Sequence, residues 1–337
     1  MAQTQIADVI VPAQFTEYQV ENSLVSTALF ESGVAVKNGL MASQLGAGAQ
    51  TFSIPFWSDL ADVEANISSD DPTVNSIPQK ITASRQIVRK SFLNQSWSDM
   101  NLAGELAGSD PMARIQDRVS AYWNRQFEFR LFSSLMGVMY ANIANNGSDM
   151  VTNIAAASPG AATAGNKFSS TAVIAATLTL GDRMSDFKGI AMHSAIYAQA
   201  LADDVIQFFK PSEDSPDIPT YRGMAVIVDD NLTPAEGVYT SILFGSSAVG
   251  FAIAPPETGY GTEIFRYPSS GNGGGQTALF SRFNIAIHPA GFAWNDGTGA
   301  NAVTGISPTI ADLKNPTHWT RVVAQRKSVP LAFLLTN

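Results

Sequence analysis

The chain contains no cysteine. Disulfide frameworks, thiolate nucleophiles and zinc sites with cysteine ligands are therefore excluded. Histidine is scarce: His193, His288 and His318 lie far apart, and none has a second histidine or a carboxylate at the spacing of metal ligands. Neither a phosphate-binding loop nor a Gly-x-Ser-x-Gly nucleophile elbow occurs. The sequence predicts no catalytic residue, no metal site and no cofactor, although a hydrolase or a metal site stays open as an alternative.

Charge is also sparse. Charged residues make up 15% of the 337-residue chain, against about 25% in a typical globular protein. Hydrophobic residues account for 45%, which is enough for a substantial core. This composition fits a subunit whose surface is largely covered by other subunits. The net charge of −9 argues against tight binding to DNA, because a protein that grips phosphates needs a positive surface.

Long apolar runs are missing too. No stretch is long enough to span a bilayer, and residues 1–12 lack the basic and apolar segments of a secretory signal. We therefore expect no association with a membrane. Without cysteine the chain is also indifferent to redox compartment, so it could equally be made in the cytoplasm.

The longest regular pattern runs from Asp110 to Gly147. Asp110 is a favourable N-cap, and Pro111 suits the first helical position. Apolar residues then recur at helical spacing, at Met112, Ile115, Val119, Trp123, Phe127, Leu131, Leu135 and Met139. The pattern predicts a helix over residues 111–145, about 50 Å long. It is either a core helix of a large α/β protein or the spine of a flat, shell-forming subunit.

Residues 46–98 have the pattern of a long hairpin. Residues 51–57 alternate between apolar and polar positions, which is typical of a strand with one buried face. Pro55 cannot donate a hydrogen bond to a central ladder, so we expect this strand at an edge. The return strand is predicted at residues 81–97, which are rich in β-branched and aromatic side chains.

Charge is segregated along this hairpin. The acidic residues of its tip are Asp59, Asp62, Glu64, Asp70 and Asp71. The basic residues that follow are Lys80, Arg85, Arg89 and Lys90. One interpretation is a solvated acidic loop beside a nucleic-acid-binding strand, and the other is that the tip of one subunit meets the basic strand of the next. The negative net charge favours the second, so all nine residues are candidates for intersubunit contacts.

Four further regions are predicted. Residues 1–45 read as an N-terminal arm that lacks a core of its own. Residues 99–186 contain the long helix, residues 187–300 have the pattern of a compact α/β unit, and residues 301–337 return to strand character.

Two shorter helices are predicted within these regions. One covers residues 171–187, with Ile174, Leu178 and Met184 on its buried side, and the other covers residues 195–209. Later in the chain, a glycine-rich turn at residues 269–275 is predicted between two strands that pair with each other.

In this order, the predicted elements resemble the major capsid proteins of tailed bacteriophages, whose fold is known as the Hong Kong 97 fold. The resemblance covers nearly the whole chain, and its weight lies in the ordered set because no single motif is specific. The local matches are Gly108-Ser-Asp-Pro-Met112, Ala121-Tyr-Trp-Asn-Arg125, Tyr221-Arg-Gly-Met-Ala-Val-Ile-Val-Asp229, His288-Pro-Ala-Gly-Phe-Ala-Trp294, Trp319-Thr-Arg-Val-Val323 and Leu334-Leu-Thr-Asn337.

The resemblance implies an α+β fold of the Hong Kong 97 type. Residues 46–98 would be its extended loop, residues 99–186 with 301–337 its peripheral domain, and residues 187–300 its axial domain. It further implies hexamers and pentamers that close into an icosahedral shell around packaged double-stranded DNA, without sequence-specific binding. The protein would assemble in the host cytoplasm and belong to the virion.

The same resemblance implies partners. Because no large scaffolding region fits before Gly46, a separate scaffolding protein is expected, together with a portal and, optionally, a decoration protein. Some members crosslink a loop lysine to a neighbour's asparagine, for which Lys80 and Lys90 are the candidates. Two alternatives stay open: a bacterial nanocompartment shell, which shares the fold and encloses an enzyme, and a soluble α/β enzyme of unknown type.

Overall fold

The computed structural model describes residues 35–60, 63–73, 75–156, 158–209, 218–232, 236–257 and 261–337. The predicted N-terminal arm is therefore described only from Ala35 onward, and Asp62 lies outside the described residues. Within these ranges the chain forms six α-helices and sixteen β-strands. This mixture of helices and sheets confirms the expected α+β class.

The helices are α1 (Gly39–Leu45), α2 (Asn101–Ala107), α3 (Pro111–Asn145), α4 (Ser170–Leu178), α5 (Ser194–Ala202) and α6 (Ile310–Lys314). The strands are β1 (Ala35–Lys37), β2 (Thr51–Trp57), β3 (Ala83–Arg89), β4 (Ser91–Met100), β5 (Val151–Asn153), β6 (Phe187–Met192), β7 (Gln207–Phe209), β8 (Ile218–Tyr221), β9 (Met224–Val228), β10 (Tyr239–Gly245), β11 (Val249–Ala254), β12 (Thr262–Tyr267), β13 (Gln276–Pro289), β14 (Phe292–Trp294), β15 (Trp319–Arg321) and β16 (Leu331–Thr336).

Helix α3 confirms the long helix predicted from the sequence. It has 35 residues, and the Asp110 side chain caps it by accepting a hydrogen bond from the Ala113 amide at 3.1 Å. Its apolar stripe is buried from Trp123 onward, and from Phe127 to Asn142 most of the helix surface is covered. The helix therefore runs through the main hydrophobic core instead of lying on its surface.

Two serines explain how the uncharged second half of α3 tolerates burial. The Ser133 hydroxyl donates to the Phe129 carbonyl at 2.6 Å, and the Ser134 hydroxyl donates to the Arg130 carbonyl at 2.9 Å. These bonds to the preceding turn satisfy polar groups that would otherwise be buried without partners.

Two main sheets flank the cores. The larger has seven strands in the order β5-β16-β10-β6-β9-β8-β7, with β5 and β16 parallel, β6 and β9 parallel, and the other neighbours antiparallel. The second has the order β1-β11-β13-β12, and β4 also pairs with β13 along ten residues. The remaining pairs are β14 with β15 and the hairpin of β2 with β3.

The final strand, β16, shows how the larger sheet is buried on both faces. Phe333 and Leu335 belong to the core that contains α3, whereas Ala332 and Leu334 belong to a second core with residues of α4 and α5. This alternation is the expected consequence of the two-residue period of a strand. Because β16 lies between β5 and β10, the chain's last strand joins the sheet that also holds β6–β10. The division into four regions and an arm stays a prediction.

The predicted return strand at residues 81–97 is wrong as a single element. It consists of two strands: β3 pairs with β2, whereas β4 pairs with β13 in a different sheet. The break falls at Lys90, whose side chain is buried and binds carbonyl groups of the segment after α1. The sequence pattern is continuous across the break, because both strands use the same types of side chain.

The two shorter helices are also shorter than predicted. Helix α4 ends at Leu178 and α5 at Ala202. Three residues expected in the interior are exposed instead: Ile174 by 44%, Leu178 by 58% and Met184, which lies beyond the end of α4, by 43%. The smaller Val173 and Ala176 are buried. Small side chains allow α4 to lie close to β16, so its larger residues point outward.

A tight turn joins β12 and β13, as predicted. Gly271, Asn272, Gly273 and Gly275 all have left-handed backbone conformations, with φ of 64°, 54°, 93° and 82°. A Cβ atom at Gly271 would lie 2.5 Å from the Met100 side chain, whereas one at Gly273 would meet nothing within 4 Å. Residues 271–274 are exposed at the tip of this turn.

Candidate assembly surface

The hairpin of β2 and β3 projects a long loop from the body of the subunit. Its register runs from Thr51 opposite Arg89 to Trp57 opposite Ala83. Phe52 and Ile54 pack against a small core formed by residues of α1, β3, β11 and β13. The base of the hairpin therefore packs against a small core that is separate from the core containing α3. Beyond it, the described residues between 58 and 82 form no helix or strand.

The acidic residues of this loop are on the surface. Asp59, Glu64, Asp70 and Asp71 are exposed, and none forms a salt bridge with another described residue. The Asp71 carboxylate accepts hydrogen bonds from the amide and the hydroxyl of Thr73 at 2.8 and 2.7 Å, which lower the pKa of Asp71. These side chains are free to meet charges on another molecule.

The four basic candidates divide into two pairs. Lys80 and Arg85 are exposed and form no ion pair within the described part of the chain. Arg89 and Lys90 are buried. The structure thus brings none of the four described acidic candidates together with a basic candidate inside one subunit. Of the basic candidates, it leaves only Lys80 and Arg85 available to a neighbour.

Arg89 is a correction to the list of contact candidates. Its guanidinium donates to the Gln50 side chain at 2.7 Å and to the Ile306 carbonyl at 2.9 Å. Its Nε lies 3.2 Å from Asp296 Oδ1, close enough for an ion pair although the angle does not make a hydrogen bond. Arg89 therefore ties the base of the hairpin to residues 296–306 of its own subunit.

Lys90 is the second correction. Its side chain has no exposed surface, and its ammonium donates to the carbonyls of Leu45 and Ala47. It also lies over the Phe52 ring, 5.8 Å from the centroid. Burial lowers the pKa of Lys90, and the nearby Glu257 carboxylate opposes this shift. An ammonium held in this way can neither pair with a neighbour nor reach its asparagine, which leaves Lys80 as the crosslinking candidate.

The loop also exposes apolar side chains that the sequence analysis did not single out. Trp57 is 70% exposed and Ile67 is 89% exposed. The other exposed apolar residues of the loop are Leu60, Val63, Ile77 and Ile81. In the sequence, these apolar residues are spaced through a segment otherwise rich in Asp, Ser and Pro. That spacing could have indicated that they are exposed. Apolar side chains exposed in this number on one loop are candidates for burial against another molecule.

Comparison with known proteins identifies the family of the chain that carries this loop. No family model matches the chain. The chain is, however, 36% identical to the major capsid protein of Bacillus phage SPP1 over 335 residues, which is 97% of this chain and 96% of that protein. The chain belongs to the phage major capsid protein family.

Solved capsids show the fold of this major capsid protein. The capsid of cyanophage Pam1 matches with a TM-score of 0.58 at 11% identity, over 96% of both chains. The head of Helicobacter pylori bacteriophage KHP40 matches with a TM-score of 0.54 at 12% identity, over 97% of this chain and 95% of that one. The capsid of Ralstonia phage GP4 gives a TM-score of 0.55 at 12% identity, over 83% and 92% of the two chains. The expected Hong Kong 97-type fold is confirmed.

A major capsid protein is a structural component of the virion and forms shells with other copies of itself, as the sequence predicted. In the described residues, no helix is both long and apolar enough to cross a bilayer. The same residues contain no cluster of three or more His, Asp or Glu side chains that could hold a metal ion. The exposed hairpin loop is thus the candidate for contact between copies.

Proposed function

We propose that this major capsid protein assembles through hexamers and pentamers into an icosahedral head that encloses a double-stranded DNA genome. The observation that carries the proposal is the identity of 36% to a phage major capsid protein along almost the entire length of both chains. A phage relative of this kind favours a genome-filled head over a nanocompartment, and a structural role over catalysis.

In this head the hairpin loop bridges neighbouring subunits. The exposed acids Asp59, Glu64, Asp70 and Asp71, together with Asp62, supply the negative partner. Arg85 of the next copy supplies the positive one, since it is exposed and unpaired among the described residues. Each such pair contributes only ~0–1 kcal/mol. The pair recurs at every equivalent contact, so its effect on a closed shell is much larger than its effect on a dimer.

The inner surface holds DNA without reading its sequence. Excess negative charge opposes phosphate binding. Several cations are also engaged inside the subunit, namely Arg89, Lys90, Arg130, Arg282, Arg321, Arg326 and Lys327. Assembly in the host cytoplasm would use a separate scaffolding protein and a portal, with a decoration protein as an optional addition.

The test is assembly of the purified full-length chain. Light scattering at micromolar concentration should give large particles or ring-shaped capsomers, and electron microscopy should give closed shells. A monomer at every salt concentration and pH would contradict the proposal. Shells that enclose an enzyme in place of DNA would favour the nanocompartment. Tight, sequence-dependent binding to short duplexes would contradict the role given to the inner surface.

A further inference from the structure

A second surface of the subunit contains a cleft with the features of a binding site. A cleft of about 690 Å³ lies where α2 and the start of α3 face the edge of the second sheet. Its walls carry three carboxylates, those of Asp99, Glu105 and Asp110, and one guanidinium, that of Arg266. Three negative charges against one positive charge leave the cleft at −2, so its preferred occupant is a cation.

Strand pairing explains how these groups come together. Asp99 of β4 lies opposite Thr277 of β13, and Thr277 lies opposite Arg266 of β12, so the three side chains share one face of the sheet. Helix α2 follows β4 directly and ends at Gly108, whose left-handed conformation (φ 64°) reverses the chain. Asp110 then caps α3 above the same face.

Asp99 is the group that points to a missing partner. It is only 4% exposed, its Oδ1 has no hydrogen-bond partner, and no Lys or Arg of the described chain forms an ion pair with it. Burial, and secondarily the negative charge of Asp110, raise the pKa of Asp99. A buried carboxylate oxygen without a donor, in a group without a cation beside it, is costly, and a basic side chain that enters the cleft would reduce that cost.

The residues around Asp99 indicate what kind of group its missing partner is. Asp110 is already engaged with the Ala113 amide, and the described carboxylates form no three-ligand cluster for a metal ion. Ile264 of β12 lines the cleft, Leu102 and Leu106 lie on the helix α2 that forms one wall, and all three are about half exposed. The occupant should therefore be a basic side chain flanked by apolar residues.

The hairpin loop contains one segment of this kind. Residues 77–81, with the sequence Ile-Pro-Gln-Lys-Ile, are exposed and form no helix or strand. Ile77 and Ile81 flank Lys80, which has no ion pair among the described residues. The N-terminal arm cannot serve, because residues 1–34 contain no Lys or Arg.

We propose that the cleft receives Lys80 of a second copy of this chain, with Ile77 and Ile81 resting on the exposed apolar residues beside it. This inference rests on the proposed function, because it needs neighbouring copies. It assigns the two exposed cations of the loop to different sites: Arg85 meets an acidic tip, and Lys80 enters the Asp99 cleft.

Disulfide crosslinking tests whether Lys80 of one copy lies in the cleft of another. Because the chain has no native cysteine, only the introduced pair can form a disulfide. In the pair Lys80→Cys with Glu105→Cys, mild oxidation of assembled particles should give covalent dimers at least tenfold above either single variant on a non-reducing gel. The control pair, Lys80→Cys with Thr171→Cys on the exposed side of α4, should stay at the single-variant level. Intact particles in which both pairs give the same yield would overturn the inference and leave the proposed function standing. If the unaltered chain forms no particles, both fail.

A double-mutant cycle tests the chemistry. Asp99→Asn should stabilise the free subunit, because it removes an unpaired buried charge, and yet raise the protein concentration needed for assembly several-fold. Lys80→Met should raise that concentration similarly without changing subunit stability. The double variant should need no higher a protein concentration for assembly than the single variant that assembles less well. Additive losses in the double variant would mean that the two residues act independently, which would overturn the pairing.

Discussion

Two adjacent residues fix the base of the hairpin to the subunit in different directions. Lys90 reaches back to the carbonyls of Leu45 and Ala47, and Arg89 reaches across to Asp296 and the Ile306 carbonyl. Burying a charged side chain is costly unless it is paired or hydrogen-bonded, and both of these side chains are hydrogen-bonded to backbone carbonyls. The same two residues therefore set the angle at which the loop leaves the body.

Lys90→Met should destabilise the subunit by about 1–3 kcal/mol, because it leaves the buried Leu45 carbonyl and the partly buried Ala47 carbonyl without their donor. Chemical denaturation monitored by circular dichroism measures this. The matched control is Lys80→Met in the exposed loop, which should change stability by no more than about 0.5 kcal/mol. Equal effects of the two variants would show that Lys90 is not anchored as described.

His288 gives the subunit a defined sensitivity to acid. It is buried near the end of β13, its Nε2 lies 2.7 Å from the Phe292 carbonyl oxygen, and burial lowers its pKa from 6.5 to about 4. Because the folded pKa lies below the unfolded one, the unfolded chain takes up the proton first as the pH falls. The resulting stability is complete above pH 6.5 and is lost between pH 6.5 and 4, by about 3 kcal/mol in all.

His288→Gln should reduce this acid sensitivity, since glutamine can keep a donor near the Nε2 position but does not titrate. Denaturation midpoints at pH 7.5 and 4.5 should differ less in the variant than in the unaltered protein. If both proteins lose the same stability on acidification, His288 is not the group responsible.

At the scale of elements, helix α3 and the segment that crosses it approach each other unusually closely. A Cβ atom at Gly137 would lie 2.0 Å from the Leu313 carbonyl oxygen and 2.5 Å from Trp319 Nε1. These two atoms are themselves joined by a hydrogen bond of 2.8 Å. Glycine at this position thus allows α6 and the Trp319 indole to lie directly on the helix.

Gly137→Ala should therefore destabilise the subunit, by about 1–3 kcal/mol as in other overpacked cores. Alanine favours the helix by about 1 kcal/mol over glycine, but the contact with a backbone oxygen outweighs this gain. Thermal unfolding would measure the effect. Gly39→Ala is the control, because a Cβ there meets nothing within 4 Å and the change should be neutral or slightly stabilising.

The same elements show what the sequence could and could not predict. Helix α3 was predictable because its cap, stripe and end are all local signals. The division between β3 and β4 was not, because the partner of β4 lies about 180 residues further along the chain. The burial of Lys90 had a local signal, since it follows buried Val88 at the two-residue period of an extended chain. The burial of Arg89 had none, because its guanidinium binds a carbonyl 217 residues away.

At the scale of the whole molecule, the distribution of charge matters more than its total. Buried basic side chains such as Arg89 and Lys90 stabilise the fold of their own subunit. Exposed basic side chains such as Lys80 and Arg85 belong to a chain in which acidic residues outnumber basic ones. Reversing a buried cation such as Arg89 should therefore unfold the chain, so only exposed positions report on assembly.

Arg85→Glu should leave the circular dichroism spectrum unchanged and reduce the yield of particles in electron microscopy. The same loss should appear in the unaltered chain at 1 M salt, where the Debye length falls to about 3 Å. Adding Asp70→Lys and Asp71→Lys should restore part of the yield. Arg222→Glu changes the net charge equally at an exposed turn and serves as the control. Full assembly of the Arg85 variant would remove this residue from the contact.

The exposed turn between β12 and β13 can label the two sides of the shell wall. A short peptide tag inserted after Gly273 would occupy open space and leave the flanking strands paired. An antibody too large to enter a closed particle would bind the tag only if the turn faces outward. In every copy of the subunit, this turn would then mark either the exterior or the lumen.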